Sequence, residues 1–96
     1  MQYFYRSHAT PEAVLGFAKD FFPGRGLPGN VSGDDAAFSD ARGTIKVAVE
    51  IEGGHYTRVT AGTSDVGESE IDKVAKRFLA ELHTLDEPSH VVRGAY

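Results

Sequence analysis

A strictly alternating stretch in the middle of the chain constrains the fold more than any other feature. From Gly43 to Thr60 the sequence reads GTIKVAVEIEGGHYTRVT. Apolar side chains alternate there with polar or small ones, and the apolar positions are Ile45, Val47, Val49 and Ile51. Successive side chains of a β-strand point to opposite faces, so this pattern predicts a strand with one buried face. Gly53-Gly54 then predicts a turn and a hairpin that spans Thr44 to Thr63.

The length of the loop decides which side chains of this hairpin face the core. A loop of the two glycines alone would place Arg58 opposite Val49 and so put a charge on the buried face. A three-residue loop that includes His55 places Val59 opposite Val49 and Arg58 opposite Glu50. The second register satisfies both faces, and it is the one that we predict. The second arm is expected to contribute Val59 to the core.

Two amphipathic helices flank the hairpin in the sequence. The first is predicted to begin after Thr10, whose hydroxyl can cap free backbone amides, with Pro11 at the first helical position. Its apolar stripe consists of Val14, Phe17, Ala18, Phe21 and Phe22. The second is predicted to begin after Ser69, which can form a capping box with Asp72. Its stripe is longer and consists of Ile71, Val74, Ala75, Phe78, Leu79, Leu82 and Leu85.

Two shorter strands complete the predicted sheet. Gln2 to His8 is an aromatic, extended run, and Ala36 to Ser39 is a short apolar one, while the intervening segment PGRGLPGNVSGDD is predicted to be a loop. We therefore predict one α+β domain over residues 1–96, with element order β-α-β-β-β-α. It has an antiparallel sheet of about four strands with both helices on one face. The first strand is expected beside the second arm of the hairpin, and residues 86–96 are expected to form a loose tail.

Composition narrows the classes of partner. The 96 residues are 41% hydrophobic and 25% charged, which is typical of a globular domain. The net charge of −4 opposes nonspecific attraction to nucleic acid or anionic lipid. The N-terminal segment does not resemble a signal peptide, and no apolar run reaches membrane-spanning length. With no cysteine in the chain, a reducing compartment fits, and we expect a cytoplasmic protein with neither a nucleic-acid nor a membrane partner.

The sequence carries no pattern that is specific for catalysis or for a metal. The four histidines form neither a His-x-His nor an i, i+4 pair, so we predict no metal site and no cofactor. No Gly-x-Ser-x-Gly nucleophile motif is present. Glu50, Glu52 and Arg58 would share one strand face, where exposed carboxylates keep ordinary pKa values and contribute little to acid–base chemistry. We predict no catalytic residue.

The order of the elements, the segment Thr10-Pro11-Glu12-Ala13-Val14 after the first strand, and the amphipathic closing helix resemble the helix-grip proteins of the START and polyketide-cyclase superfamily. In that family a curved antiparallel sheet wraps a long C-terminal helix, and lipids, hormones or polyketides bind between them. The resemblance covers both ends of the chain and the hairpin, although this chain is much shorter and has fewer strands. The same element order is also similar to one repeat of the TATA-binding-protein-like fold, whose DNA binding the acidic balance argues against.

These observations lead to a functional expectation. We predict a noncatalytic binding module for a small apolar ligand or a protein partner, held between the sheet and the C-terminal helix. The predicted ligand-binding residues are Glu50, Tyr56, Arg58, Phe78 and Leu82. The alternative is a small cyclase- or isomerase-like enzyme that uses polar residues of the central hairpin. A homodimer is also predicted, because a sheet with helices on one side leaves its other face open.

Overall fold

The computed structural model describes residues 1–54, 56–64 and 69–86, with side chains as far as Thr84. The predicted α+β class is confirmed, and the elements, in chain order, are β1 (Gln2–Ser7), α1 (Pro11–Phe21), β2 (Gly29–Ser32), β3 (Asp35–Asp40), β4 (Gly43–Glu52), β5 (Tyr56–Thr63) and α2 (Glu70–Asp86). A short 3₁₀ turn, Pro23–Arg25, follows α1. Of the predicted tail, only Asp86 is described, and it ends α2; His55 also lies outside the described residues.

All neighbouring strands of the sheet are antiparallel, in the order β1-β5-β4-β3-β2. The predicted position of the first strand is confirmed, because β1 pairs with β5 from Gln2↔Gly62 to Ser7↔Thr57. The strand count was too low: the described sheet has five strands instead of about four. The element order is therefore β-α-β-β-β-β-α.

The additional strand is β2, which lies in the segment predicted to be a loop. All four of its residues are exposed, so no alternation of apolar and polar side chains indicates a strand. Its pairing with β3 is set by a two-residue turn, Gly33-Asp34, in which Gly33 adopts a positive φ of 62°. Gly-Asp at that position is a hairpin signal, and it was the one feature of the sequence that could have revealed β2.

Both helices pack on the same face of the sheet, and the core lies between the two layers. Its fully buried large side chains come from both helices, from three strands and from the segment after α1: Val14, Phe22, Leu27, Phe38, Ile45, Val47, Val59, Ile71, Phe78 and Leu82. Phe22 lies between the rings of Phe38 and Phe78, with centroid distances of 4.8 and 4.9 Å. Neither described helix is both long and apolar enough to cross a bilayer.

One predicted core residue is not buried. Ile45, Val47, Val49 and Val59 are buried as expected, but Ile51 is 61% exposed. Ile51 shares the helix-facing side of β4 with the buried residues, yet it sits near the end of the strand, beside the first turn of α1. The alternating pattern predicts the face of a residue correctly, but it does not predict how far the helices extend along that face.

A buried carboxylate joins β1, β5 and α2. Asp72 is fully buried, and its oxygens accept hydrogen bonds from the hydroxyls of Thr63 at 2.8 Å, Tyr3 at 3.1 Å and Ser69 at 3.3 Å. The Asp72 amide donates to the Ser69 hydroxyl, so the predicted helix cap is confirmed. Burial acts to raise the pKa of Asp72, but the hydrogen bonds from Thr63, Tyr3 and Ser69 outweigh it and lower the pKa below its ordinary value.

The lowered pKa of Asp72 predicts acid-sensitive stability. A carboxyl whose folded pKa is depressed stabilises the fold fully above its unfolded pKa, about 3.9, and this contribution is lost as pH falls through the folded pKa. Asp72→Asn should therefore lower the melting temperature at neutral pH and reduce its dependence on pH between about 5 and 2. Thermal unfolding monitored by circular dichroism measures both effects.

The exposed Asp20 supplies the control for this experiment. Asp20→Asn should leave the melting temperature and its pH profile close to those of the parent protein. Asp40 and Glu52, whose pKa values are also lowered, remain in every variant. The difference between the pH profiles of the parent protein and Asp72→Asn therefore reports on Asp72 alone. Identical pH profiles for Asp72→Asn and the parent would contradict the assigned role.

A close contact at Gly29 predicts a second stability effect. Gly29 pairs with Phe38, and a Cβ added at Gly29 would overlap the Ala37 carbonyl oxygen and lie 2.6 Å from Cδ1 of Phe38. Gly29→Ala should lower the free energy of unfolding by about 1–3 kcal/mol, the usual cost of overpacking. Gly16→Ala has no atom within 4 Å of the new Cβ and lies inside α1, so it should stabilise by about 0.5–1 kcal/mol. Urea unfolding measures the free energy of unfolding of both variants. Equal changes in Gly29→Ala and Gly16→Ala would contradict the close contact between Gly29 and β3.

Candidate functional site

The face of the sheet that points away from the helices is open across all five strands of the described chain. We call it the outer face. Its residues are Gln2, Phe4 and Arg6 of β1; Tyr56, Arg58, Thr60 and Gly62 of β5; Thr44, Lys46, Ala48, Glu50 and Glu52 of β4; Asp35, Ala37 and Ser39 of β3; and Asn30 and Ser32 of β2. Neither described helix packs against this face, so within the described chain it is a surface available for binding.

The predicted hairpin register, which determines what the outer face displays, is confirmed. Val49 pairs with Val59, and both are buried, while Glu50 pairs with Arg58 on the opposite side. Because side chains alternate along a strand, a shift of one residue would exchange the two faces. The register therefore brings the polar side chains of the hairpin together at the surface.

Two arginines and two glutamates form a cluster near one end of the outer face. Arg6 Nε lies 2.6 Å from Glu52 Oε1. Arg58 Nη1 lies 3.7 Å from Glu50 Oε1 and 3.8 Å from Glu52 Oε2. Arg6 and Arg58 are direct cross-strand partners, an arrangement of like charges that is unfavourable by itself. Glu52 contacts both guanidinium groups and thus compensates their repulsion.

These contacts fix the ionisation of the cluster. The hydrogen bond from Arg6 is the main cause that lowers the pKa of Glu52, and the positive charges of Arg6 and Arg58 act in the same direction. The same hydrogen bond raises the pKa of Arg6. Glu52 is therefore a carboxylate at neutral pH and a poor proton donor, so the cluster is suited to recognition by charge and hydrogen bonding.

Two aromatic rings border the cluster. Phe4 is 56% exposed, and the guanidinium carbon of Arg58 lies 4.8 Å from the centre of its ring. Tyr56 is 41% exposed, and its ring centre lies 5.3 Å from that of His8. A guanidinium above an aromatic face is a favourable cation–π geometry. Phe, Tyr and Arg are also the residue types that are enriched in protein–protein interfaces.

The middle of the outer face is lined by small side chains, which leave shallow depressions on either side of Lys46. One depression of about 430 Å³ lies over Thr44, Ala48 and Gly62. The other, of about 440 Å³, lies over Ala37 and Ala48 and is bordered by Asp35. Because the floor is formed by small residues of the strands themselves, a partner can approach the sheet closely here.

The structure separates the predicted ligand-binding residues into two groups. Glu50, Tyr56 and Arg58 lie together on the outer face, whereas Phe78 and Leu82 are fully buried in the core on the other side of the sheet. A single ligand therefore does not contact all five in this structure. Arg6 and Phe4 are missing from the predicted set, although the predicted neighbour of β1 and the alternation along β1 together place them beside Arg58.

Comparisons with known proteins leave the function to be inferred from this surface. No protein-family model and no curated protein sequence matches the chain. Among the described side chains, no group of three or more His, Asp or Glu residues is arranged to hold a metal ion. The outer face, with its charged cluster, its two exposed rings and its small-residue floor, is thus the candidate functional site.

Adjacent residues of β5 allow the assignment of the two faces to be tested. Val59→Arg places a charge in the core and should lower the free energy of unfolding by on the order of 3–5 kcal/mol. Arg58→Val alters a half-exposed position on the outer face and should change it by no more than about 1 kcal/mol, because surface ion pairs contribute about 0–1 kcal/mol. Chemical denaturation followed by circular dichroism measures both. A register wrong by one residue would reverse the order of the two variants.

Proposed function

We propose that this chain is a noncatalytic binding module that docks a protein partner on its outer face. The observation that carries this proposal is a sheet surface uncovered by either described helix, on which Phe4 and Tyr56 expose their rings beside two arginines. An exposed aromatic group bordered by polar residues is characteristic of a surface that associates with another protein. The partner that fits presents an apolar group to these rings and charged groups of both signs to the arginines and glutamates beside them.

The charge on the outer face favours a protein over a polyanion. Three cations and three anions project from it: Arg6, Arg58 and Lys46, and Glu50, Glu52 and Asp35. The face is therefore electrically balanced, although the whole chain has a net charge of −4. A polyphosphate or an anionic membrane gains its affinity from an excess of Lys and Arg, which this face does not have.

The packing of the core supports an external site over an internal one. Phe78 and Leu82 are fully buried, and the ring of Phe78 lies 4.9 Å from that of Phe22 and 5.7 Å from that of Phe17. These side chains fill the space in which a ligand between the sheet and α2 would lie. An internal ligand would require them to move, at the energetic cost that accompanies any opening of a packed core.

Three expectations from the sequence remain proposals. Kinship with the helix-grip proteins is supported by an antiparallel sheet that packs against a long C-terminal helix. A homodimer is supported by the exposed Phe4, which another copy of the chain would cover. A cytoplasmic location agrees with the absence of cysteine from the sequence, and subcellular fractionation with an antibody would test it.

Site-specific crosslinking in the native cells tests the proposed function. A photoreactive amino acid placed at Tyr56 or at Lys46 should crosslink one common partner, whereas the same group at Lys19, on the exposed side of α1, should not. The purified partner should then bind Ala48→Arg at least ten times more weakly than the parent protein, because the long side chain occupies the floor of the outer face. Calorimetry or biolayer interferometry measures the affinity.

Ala80→Arg is the matched control, since it introduces the same side chain at an exposed position of α2. It should leave the affinity unchanged. Equal crosslinking from Tyr56, Lys46 and Lys19 would contradict a specific partner. An apolar molecule that remains bound in native mass spectrometry and is unaffected by Ala48→Arg would instead support a ligand between the sheet and α2.

A further inference from the structure

The edge of β1 that faces away from β5 can pair with another strand. Within the described chain, β1 is an edge strand that pairs only with β5. Exposed edges usually carry a device that prevents pairing with another chain, such as a proline, a bulge or an unneutralised charge. The sequence of β1 is QYFYRS, which contains no proline, and its one charged side chain, Arg6, is already paired with Glu52 at 2.6 Å.

The hydrogen-bond pattern shows which backbone groups point outward from this edge. The amide of Thr63 donates to the carbonyl of Met1 at 2.8 Å, and the Met1 nitrogen donates to the carbonyl of Thr63 at 3.3 Å. Hydrogen-bonded and non-hydrogen-bonded pairs alternate along an antiparallel ladder. Gln2, Phe4 and Arg6 are therefore the residues of β1 whose N–H and C=O groups face away from β5.

We propose that β1 pairs antiparallel with β1 of a second copy of this chain, with Phe4 opposite Phe4 at the two-fold axis. Antiparallel pairing must place outward-facing residues opposite one another. Only the register centred on Phe4 gives a partner to all three, because it also places Gln2 opposite Arg6. This register forms three pairs and about six interchain hydrogen bonds, two for each pair.

The side chains favour the same register. Phe4 is 56% exposed in the single chain, and in the dimer each ring is covered by the other, as in the aromatic cross-strand pairs that stabilise sheets. Each Arg6 lies opposite the neutral Gln2 of the other copy, so the two arginines avoid each other. A register centred on Arg6 would place like charges in direct opposition and would pair only one residue.

The opposite edge of the sheet is less suited to self-association. β2 has four residues, all exposed, and follows Pro28 directly. It begins at Gly29, and Val31 is its one large apolar residue. Pairing through β1 joins five strands from each copy into one sheet whose outer faces are continuous, since Phe4 and its symmetry mate point to the same side.

Engineered cysteines test this register. The sequence contains no cysteine, so no other thiol of the chain can form a disulfide. Opposed Cα atoms in a hydrogen-bonded pair are about 5.5 Å apart, which is within the range of a disulfide. Phe4→Cys should therefore form a covalent dimer in mild oxidant. Arg6→Cys alone should not, but an equal mixture of Gln2→Cys and Arg6→Cys should crosslink. Intact mass under nonreducing conditions measures the yield, with Thr60→Cys as the control one strand away.

Sedimentation provides an independent measurement. The parent protein should be dimeric at micromolar concentration, and Phe4→Lys, which places two charges at the axis, should raise the dimer dissociation constant at least tenfold. A monomeric parent protein, or crosslinking by Arg6→Cys or Thr60→Cys as fast as by Phe4→Cys, would overturn the proposal. These outcomes concern only the dimer. The binding of a protein partner to the outer face is measured separately with Ala48→Arg, so one proposal can be wrong while the other is right.

Discussion

The pairing of Val49 with Val59 determines the character of both faces of the sheet. This one register puts the apolar side chains of β4 and β5 under the helices and leaves Glu50 and Arg58 on the other side. The core and the outer face are consequently two results of a single alignment. A change in the loop between β4 and β5 would be expected to alter stability and surface chemistry together, because side chains alternate along every strand.

The parts of the fold that follow from strong periodic patterns could be predicted from the sequence. The hairpin register, both helix starts and the position of β1 beside β5 all follow from alternation, capping residues and the geometry of connections. β2 could not be found in this way, because its exposed residues make no hydrophobic pattern. The exposure of Ile51 depends on where α1 and α2 lie along the sheet, which strand periodicity does not encode.

The candidate site could likewise be predicted only in part from the sequence. Sequence alternation correctly grouped Glu50, Tyr56 and Arg58, but it could not show that Phe78 and Leu82 lie across the sheet from them. Their joint assignment assumed an unfilled space between the layers, and the size of such a space depends on side-chain packing. Arg6 was missed although the predicted pairing of β1 places it beside Arg58; only its contact with Glu52, forty-six positions away in the sequence, required the structure.

The pairing of β1 with β5 imposes an order on folding during synthesis. Fifty residues separate Ser7 from its partner Thr57, and a ribosome adds about 5–20 residues per second. The aromatic β1 therefore waits roughly 3–10 s without its own partner while the rest of the sheet is made. During that interval both of its edges are open, so β1 is exposed to pairing with other chains until β5 emerges.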